Sequence, residues 1–238
     1  MRKKPIAGAV AGVIAVAVAG VAVATPGTSD GVTWDAKTTS TKVNSSTGLS
    51  TTIKGAPSGL DGKQLPIRKV TVQFPPGTKI NTKALPECTA SPQTIQNTNG
   101  NVCSKSRVGT GLVKANTGLG AGIDPISEDV QAFNGKKKIF FLLTPKGAIG
   151  QTAVLTGNFR GTKAPKLVVD VPLFPIPGGS NAVLIQFDFA VKKTGSGKKA
   201  YGTTPKTCPR SGKWQLPATL GYDGHADVHA TATGPCRK

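Results

Sequence analysis

From Val183 to Lys192 the chain alternates with a period of two. Val183, Ile185, Phe187, Phe189 and Val191 fall on one side, and Leu184, Gln186, Asp188, Ala190 and Lys192 on the other. Successive side chains of a strand point to opposite faces, so this run predicts a strand with one face packed. Val70, Val72 and Phe74 repeat the pattern until Pro75-Pro76-Gly77 stops it. Further strands are expected over residues 108–114, 153–160 and 166–174. Asn134-Gly135 separates two β-rich runs within 130–143, and such a dipeptide supplies the positive φ angles of a tight hairpin. Asp223-Gly224 divides a last hairpin in the same way. Ser91-Pro92 opens one short helical turn, with Ser91 as N-cap and Pro92 at the first helical position. No segment after the N-terminus sustains a helical period. Many short strands punctuated by Gly and Pro predict an all-β fold. The expected form is a single antiparallel β-sandwich, Ig-like or jelly-roll-like, of about 8–11 strands.

The N-terminus has a different character. Arg2, Lys3 and Lys4 precede an uncharged run from Ile6 to Ala24 built almost wholly from Ala, Val, Gly and Ile. Ala22-Val23-Ala24 offers small residues where a signal peptidase reads, and Thr25-Pro26-Gly27 breaks the helix. This is the tripartite pattern of a secretory signal over residues 1–24. A retained anchor is the competing reading, since the run approaches the ~20 residues that span a bilayer. Richness in Ala and Gly rather than Leu argues for cleavage. No later stretch is long and apolar enough to cross a membrane. Residues 25–60 are rich in Thr, Ser, Gly and Lys, with Trp34 and Ile53 as isolated apolar anchors, and read as a loosely ordered linker or a first strand. Residues 61–238 are assigned to the β-sandwich domain.

The formal charge is +19, and losing the three N-terminal cations with the signal leaves about +16. An exported chain this basic attracts anionic partners such as wall polymers. Lys136, Lys137 and Lys138 together with Lys192, Lys193, Lys198 and Lys199 are the candidate anion-binding residues, forming a basic rim at one end of the sandwich. The competing reading is protection of sheet edges by lysine. Specific nucleic-acid binding is not expected, because no stacking aromatics are interleaved with the cations.

Four cysteines, Cys88, Cys103, Cys208 and Cys236, allow three pairings. Cys88–Cys103 and Cys208–Cys236 are expected, because each pair sits within one compact segment. Each bridge is worth roughly 3 kcal/mol in the chain-entropy view. The spacing suits neither a zinc site, which needs ligands such as C-x2-C, nor a redox motif.

Catalytic signals are sparse. No G-x-S-x-G occurs, and Asp and Glu together number 11. Asp124, Glu128 and Asp129 form the local acidic cluster, which faces a glycosidase or calcium reading on one side and a solvated loop on the other. His225 and His229 share a parity of the last strand with Asp223 and Asp227, and stand roughly 13 Å apart along it, too far to share a metal ion. Thr194-Gly195-Ser196-Gly197-Lys198 is not a phosphate loop: Lys192 stands where the first Gly belongs, and Lys199 follows the Gly-Lys pair. Leu216-Pro217-Ala218-Thr219-Leu220-Gly221 departs from a sorting signal at Leu220. No cofactor or metal is expected.

Two bracketing motifs carry a resemblance. One runs from Phe74-Pro75-Pro76-Gly77 through Leu85-Pro86-Glu87-Cys88 to Cys103-Ser104-Lys105-Ser106-Arg107-Val108-Gly109-Thr110-Gly111. The other joins Cys208-Pro209-Arg210-Ser211-Gly212-Lys213-Trp214 to Tyr222-Asp223-Gly224 and Pro235-Cys236. Together they resemble a group of uncharacterised exported β-rich proteins of high-GC actinobacteria, with Ser104 in place of a frequent Pro. The resemblance implies a secreted β-rich domain and supports the local cysteine pairing, and it transfers no catalytic residue. The chain thus reads as a secreted or cell-wall-associated non-enzymatic protein that binds anionic wall polymer through a basic surface. The alternative is a secreted hydrolase acting on envelope carbohydrate.

Overall fold

The computed structural model describes residues 24–55, 60, 64–120, 122–176 and 181–238. The expected signal segment lies outside these residues, apart from Ala24. Fourteen strands follow in chain order. They are β1 (Gly27–Ser29), β2 (Val32–Thr38), β3 (Leu49–Lys54), β4 (Ile67–Gln73), β5 (Lys79–Ile80), β6 (Arg107–Asn116) and β7 (Ile126–Gly135). Then come β8 (Lys138–Pro145), β9 (Ala153–Arg160), β10 (Lys166–Asp170), β11 (Val183–Val191), β12 (Gly202–Thr203), β13 (Lys213–Tyr222) and β14 (His225–Pro235).

The all-β class expected from the sequence is observed; a single sandwich is not confirmed. Twelve strands hydrogen-bond into one sheet, in the order β1-β2-β3-β11-β6-β7-β8-β9-β10-β4-β13-β14, and every pairing is antiparallel. A sandwich would interrupt this ladder between two sheets. Here the sheet curls until its ends meet and nearly closes as a barrel. Thr25 and Thr233 exchange backbone hydrogen bonds of 2.8 Å in both directions across the seam. The Trp34 indole Nε1 donates to the Leu216 carbonyl at 2.7 Å, binding β2 to β13 over the same seam. Gly27 permits the approach, because a Cβ there would collide with the Thr231 backbone. A separate ribbon, β5 with β12, lies at one end of the barrel.

Of the two readings of this region, linker or first strand, the structure has strand: residues 27–54 supply β1, β2 and β3 of this sheet. Val32, Trp34 and Ala36 alternate with Thr33, Asp35 and Lys37, and the first set is at most 1% exposed. The richness in Thr that suggested a linker belongs to the outward face of a strand, which suits a β-branched residue. The domain boundary expected at residue 60 therefore falls inside the sheet.

Two more expectations change in register. The tight turn of the β7–β8 hairpin is Lys136-Lys137, with Lys137 at φ 55°, and Gly135 pairs with Lys138. Asn134 stays in the strand because its buried side chain is used elsewhere: Nδ2 donates to the carbonyls of Thr82 (2.7 Å), Pro86 (3.1 Å) and Leu85 (3.3 Å). In β11 a bulge between Leu184 and Gln186 breaks the alternation. An extra residue in one strand inverts the facing of those before it, so Leu184 turns inward in place of Ile185.

The interior has two adjoining clusters, one around Trp34, Leu216, Leu220 and Val228 and one around Phe141, Phe189, Ile139 and Val169. Phe141 meets Phe189 edge-on at 5.1 Å. A third cluster lies on the outside of the barrel, where Phe133, Phe140 and Leu142 are covered by Ile95 and by the disulfide Cys88–Cys103. Ile95 comes from α1 (Pro92–Asn97), whose cap is Ser91 accepting from the Thr94 amide at 3.1 Å. The second disulfide, Cys208–Cys236, ties the end of β14 to the segment before β13. Two disulfides point to an oxidising environment. Among the described residues no helix is long and apolar enough to cross a membrane.

Candidate functional site

A barrel grows wider with each strand; eight strands give a lumen that side chains just fill. Twelve strands in a chain with only 5% aromatic residues leave room. The lumen holds a cavity of about 540 Å³, within the usual range for small-molecule sites. Its wall is the inward face of the sheet: Trp34 and Ile53, Val70 and Val72, Ile139 and Phe141, Leu155, Leu167, Phe187 and Leu216 among others. Outward positions such as Ser50, Thr52, Gln215, Thr219, His229 and Thr231 are polar. This polarity is the reverse of the apolar belt that a transmembrane barrel presents to lipid.

The two ends of the cavity differ. At the end carrying the β6–β7, β8–β9 and β10–β11 connections, lining residues Ala148, Gly150, Gln151, Pro172 and Pro175 are themselves exposed, so the cavity reaches solvent there. Leu119, Ile123 and Leu173 are exposed on two of the same connections. At the other end the lining residues include Thr47, Gly48, Pro75, Tyr201, Thr204 and Pro205, which are buried beside the β5–β12 ribbon. That end is closed.

Few polar groups face the cavity. Glu128 on β7 is 8% exposed and is the one carboxyl among the lining residues. Burial pushes its pKa above the ordinary glutamate range. A raised carboxyl adds stability that is complete below its unfolded pKa of about 4.3 and is lost as pH rises through the folded value. Glu128→Gln is therefore expected to raise the thermal midpoint by a few degrees at pH 7 and to leave it unchanged near pH 4. Thermal unfolding monitored by circular dichroism at both pH values checks this, and an equal effect at the two would refute it.

Tyr201 and Trp214, 5% and 2% exposed, also line the cavity, and neither the phenol oxygen nor the indole Nε1 has a hydrogen-bond partner. In the sequence Trp214 belongs to the second bracketing motif and Tyr201 to neither. A lone Tyr in an irregular lysine-rich segment gives no period to read.

The other acidic candidates lie apart. Asp129 faces outward and pairs with Lys146 at 3.3 Å. Asp124 accepts from the Thr117 hydroxyl (2.6 Å) and amide (2.7 Å) and closes the glycine-rich β6–β7 loop. Desolvation opposes its ionisation, but the bonds from Thr117, Gly120 and Gly118 together prevail and hold its pKa down. Asp170 pairs with Lys69, and Asp188 accepts from Thr52. No second carboxyl joins Glu128 among the lining residues, and no cluster of three metal-binding side chains occurs among the described residues.

All seven candidate lysines stand at the closed end, on the β7–β8 turn and the segment after β11. Lys137 and Lys198 line one surface groove there with Lys79, Asn44, Ser46 and Asn81. Lys136, Lys192, Lys193 and Lys199 are exposed at this end outside the groove, and Lys138 sets its ammonium 5.0 Å over the Phe140 ring. Glu87 is the described carboxylate at this end, whereas Asp124, Asp129, Asp170, Asp223 and Asp227 lie toward the open one. The barrel is thus electrically polarised along its axis. Comparison with family models, curated proteins and solved structures finds no match to this chain.

Proposed function

We propose that the protein is a secreted, non-enzymatic binding protein of the cell envelope that holds an apolar small molecule inside its barrel. The observation that carries this reading is the apolar cavity, closed at one end and reaching solvent at the other. Export rests on the charged start and apolar run of residues 1–24, and the two disulfides are in keeping with it. The basic closed end adds a second element, attraction to anionic wall polymer. That attraction is long-ranged only at low salt, because the Debye length is about 10 Å at 0.1 M. The hydrolase alternative, in its paired-carboxyl form, requires two that converge, and the described cavity lining offers Glu128 alone.

The chain's two tryptophans, Trp34 and Trp214, both line the cavity and report on its contents. Titration of the purified, oxidised protein with cis-parinaric acid is expected to quench tryptophan emission saturably at one ligand per chain, with energy transfer to the polyene. Unsaturable quenching, or none, would remove the cavity reading. Co-sedimentation with purified wall polymer over a salt series tests the basic end separately: binding is expected at low salt, and its absence there would remove that element.

A further inference from the structure

We infer that the ligand is a long apolar chain ending in a hydrogen-bond acceptor, a carboxylate or ester carbonyl, seated head-first at the closed end against Trp214 and Tyr201. The inference rests on the reading of the barrel as an apolar carrier. Four described side chains bury a polar atom without a partner: Asp35, Asn134, Tyr201 and Trp214. Asp35 and Asn134 use their other polar atom, on Lys37 and on three loop carbonyls. Tyr201 and Trp214 have no other, and both line the cavity.

An indole N–H can only donate. Burial pushes the Tyr201 phenol far above the usual tyrosine range, so it too remains a protonated donor at any physiological pH. Both residues lie at the closed end, Trp214 as the second residue of β13 and Tyr201 just before β12. Two donors beneath an apolar well select against a hydrocarbon, which leaves both unmet, and against an ammonium head, which can donate to the phenol oxygen but leaves the indole N–H unmet. The lysines of the closed end, with Glu87 as the described carboxylate among them, add a positive potential that favours an anionic acceptor. Glu128 stands at the far end of the cavity, toward solvent, where it meets the tail and not the head.

The experiment is displacement of N-phenyl-1-naphthylamine, an apolar fluorophore with no acceptor head, by hexadecanoate and by hexadecylamine. It is run on the wild type, Tyr201→Phe and Trp214→Phe. Hexadecanoate is expected to displace the fluorophore at least about tenfold better than hexadecylamine. Each substitution is expected to weaken hexadecanoate about three- to tenfold more than it changes the fluorophore's own affinity, the worth of one hydrogen bond. Tyr201→Phe also deletes an unpaired buried hydroxyl, so the ligand-free variant should melt no lower than the wild type. Stability and affinity thus move apart, which a packing role would not produce. If the fluorophore binds but the two amphiphiles displace it equally and both variants match the wild type, the acceptor-head inference falls and the carrier reading stands. If the fluorophore does not bind at all, the carrier reading falls and takes the inference with it.

Discussion

Trp34→Ala is expected to destabilise the protein by about 4–6 kcal/mol, a large share of what holds a domain folded. The indole is 1% exposed and sits in the cluster with Leu216, Ala218, Val228 and Ala230. Removing so large a buried ring costs about 3–5 kcal/mol, and loss of the 2.7 Å bond to the Leu216 carbonyl adds about 1 kcal/mol. For a chain of this length the thermal midpoint should fall on the order of 10–20 °C. Trp34 spans the seam where the sheet meets itself, so the damage falls where the barrel has fewest ladder bonds. A paired control separates the two terms. Trp34→Phe removes a bonded N–H, whereas Trp214→Phe removes one that has no partner. Trp34→Phe should therefore cost about 1 kcal/mol more than Trp214→Phe. Equal midpoints for these two variants, or a Trp34→Ala variant within about 1 kcal/mol of the wild type, would show that the seam is held by other contacts.

Local periodicity was readable, and closure was not. The inward sets of β13 and β14 stand out in the sequence, since Leu216, Ala218 and Leu220 alternate with Pro217 and Thr219, and Val228, Ala230 and Ala232 with His229 and Thr231. The pairing of Cys88 with Cys103 and of Cys208 with Cys236 follows from their nearness along the chain. What alternation cannot show is which strand neighbours which. β11 lies between β3 and β6, and β4 between β10 and β13, so the sheet is assembled from pairs distant in sequence. Sandwich and barrel share one alternating pattern and differ in whether the last edge finds the first. Here that turns on Thr25 meeting Thr233 and on an indole reaching one carbonyl. The cavity was hidden for a related reason. Phe187, Leu167 and Val70 look the same in sequence whether they close-pack or line a space, and strand number decides which. The bulge in β11 carries no Gly or Pro to announce it, because Leu184, Ile185 and Gln186 are ordinary strand residues. Asn134-Gly135 misled in the opposite direction. Its turn chemistry is real, but the amide was claimed by three carbonyls and the turn moved to the next two lysines.

That claim makes Asn134→Asp the second variant with a large expected effect. The Asn134 side chain is fully buried, and its amide nitrogen is the donor that satisfies the Thr82, Leu85 and Pro86 carbonyls. Aspartate has the same shape but, when ionised, only accepts. A carboxylate there would be buried facing three carbonyl oxygens, at a cost of about 3–5 kcal/mol at pH 7. The variant can escape by protonating and donating one bond, so its folded pKa must rise above the unfolded value of about 3.9. The native variant then binds more protons than the unfolded chain, and its stability falls as pH rises. At about 1.4 kcal/mol per unit, the loss spreads over roughly two to four units, from near pH 4 to between pH 6 and pH 8. Asn134→Ala leaves the same carbonyls unmet without introducing a charge, so its loss, about 1–3 kcal/mol, should not depend on pH. Urea unfolding of the two variants between pH 4 and pH 8, each referred to the wild type at the same pH, distinguishes them. Parallel curves would mean that the loop carrying Thr82 to Pro86 moves away from residue 134 and lets water in. Diverging curves, with Asn134→Asp the steeper, would establish the amide as the clasp that fixes this loop, and the disulfide-bonded segment beyond it, to the end of β7.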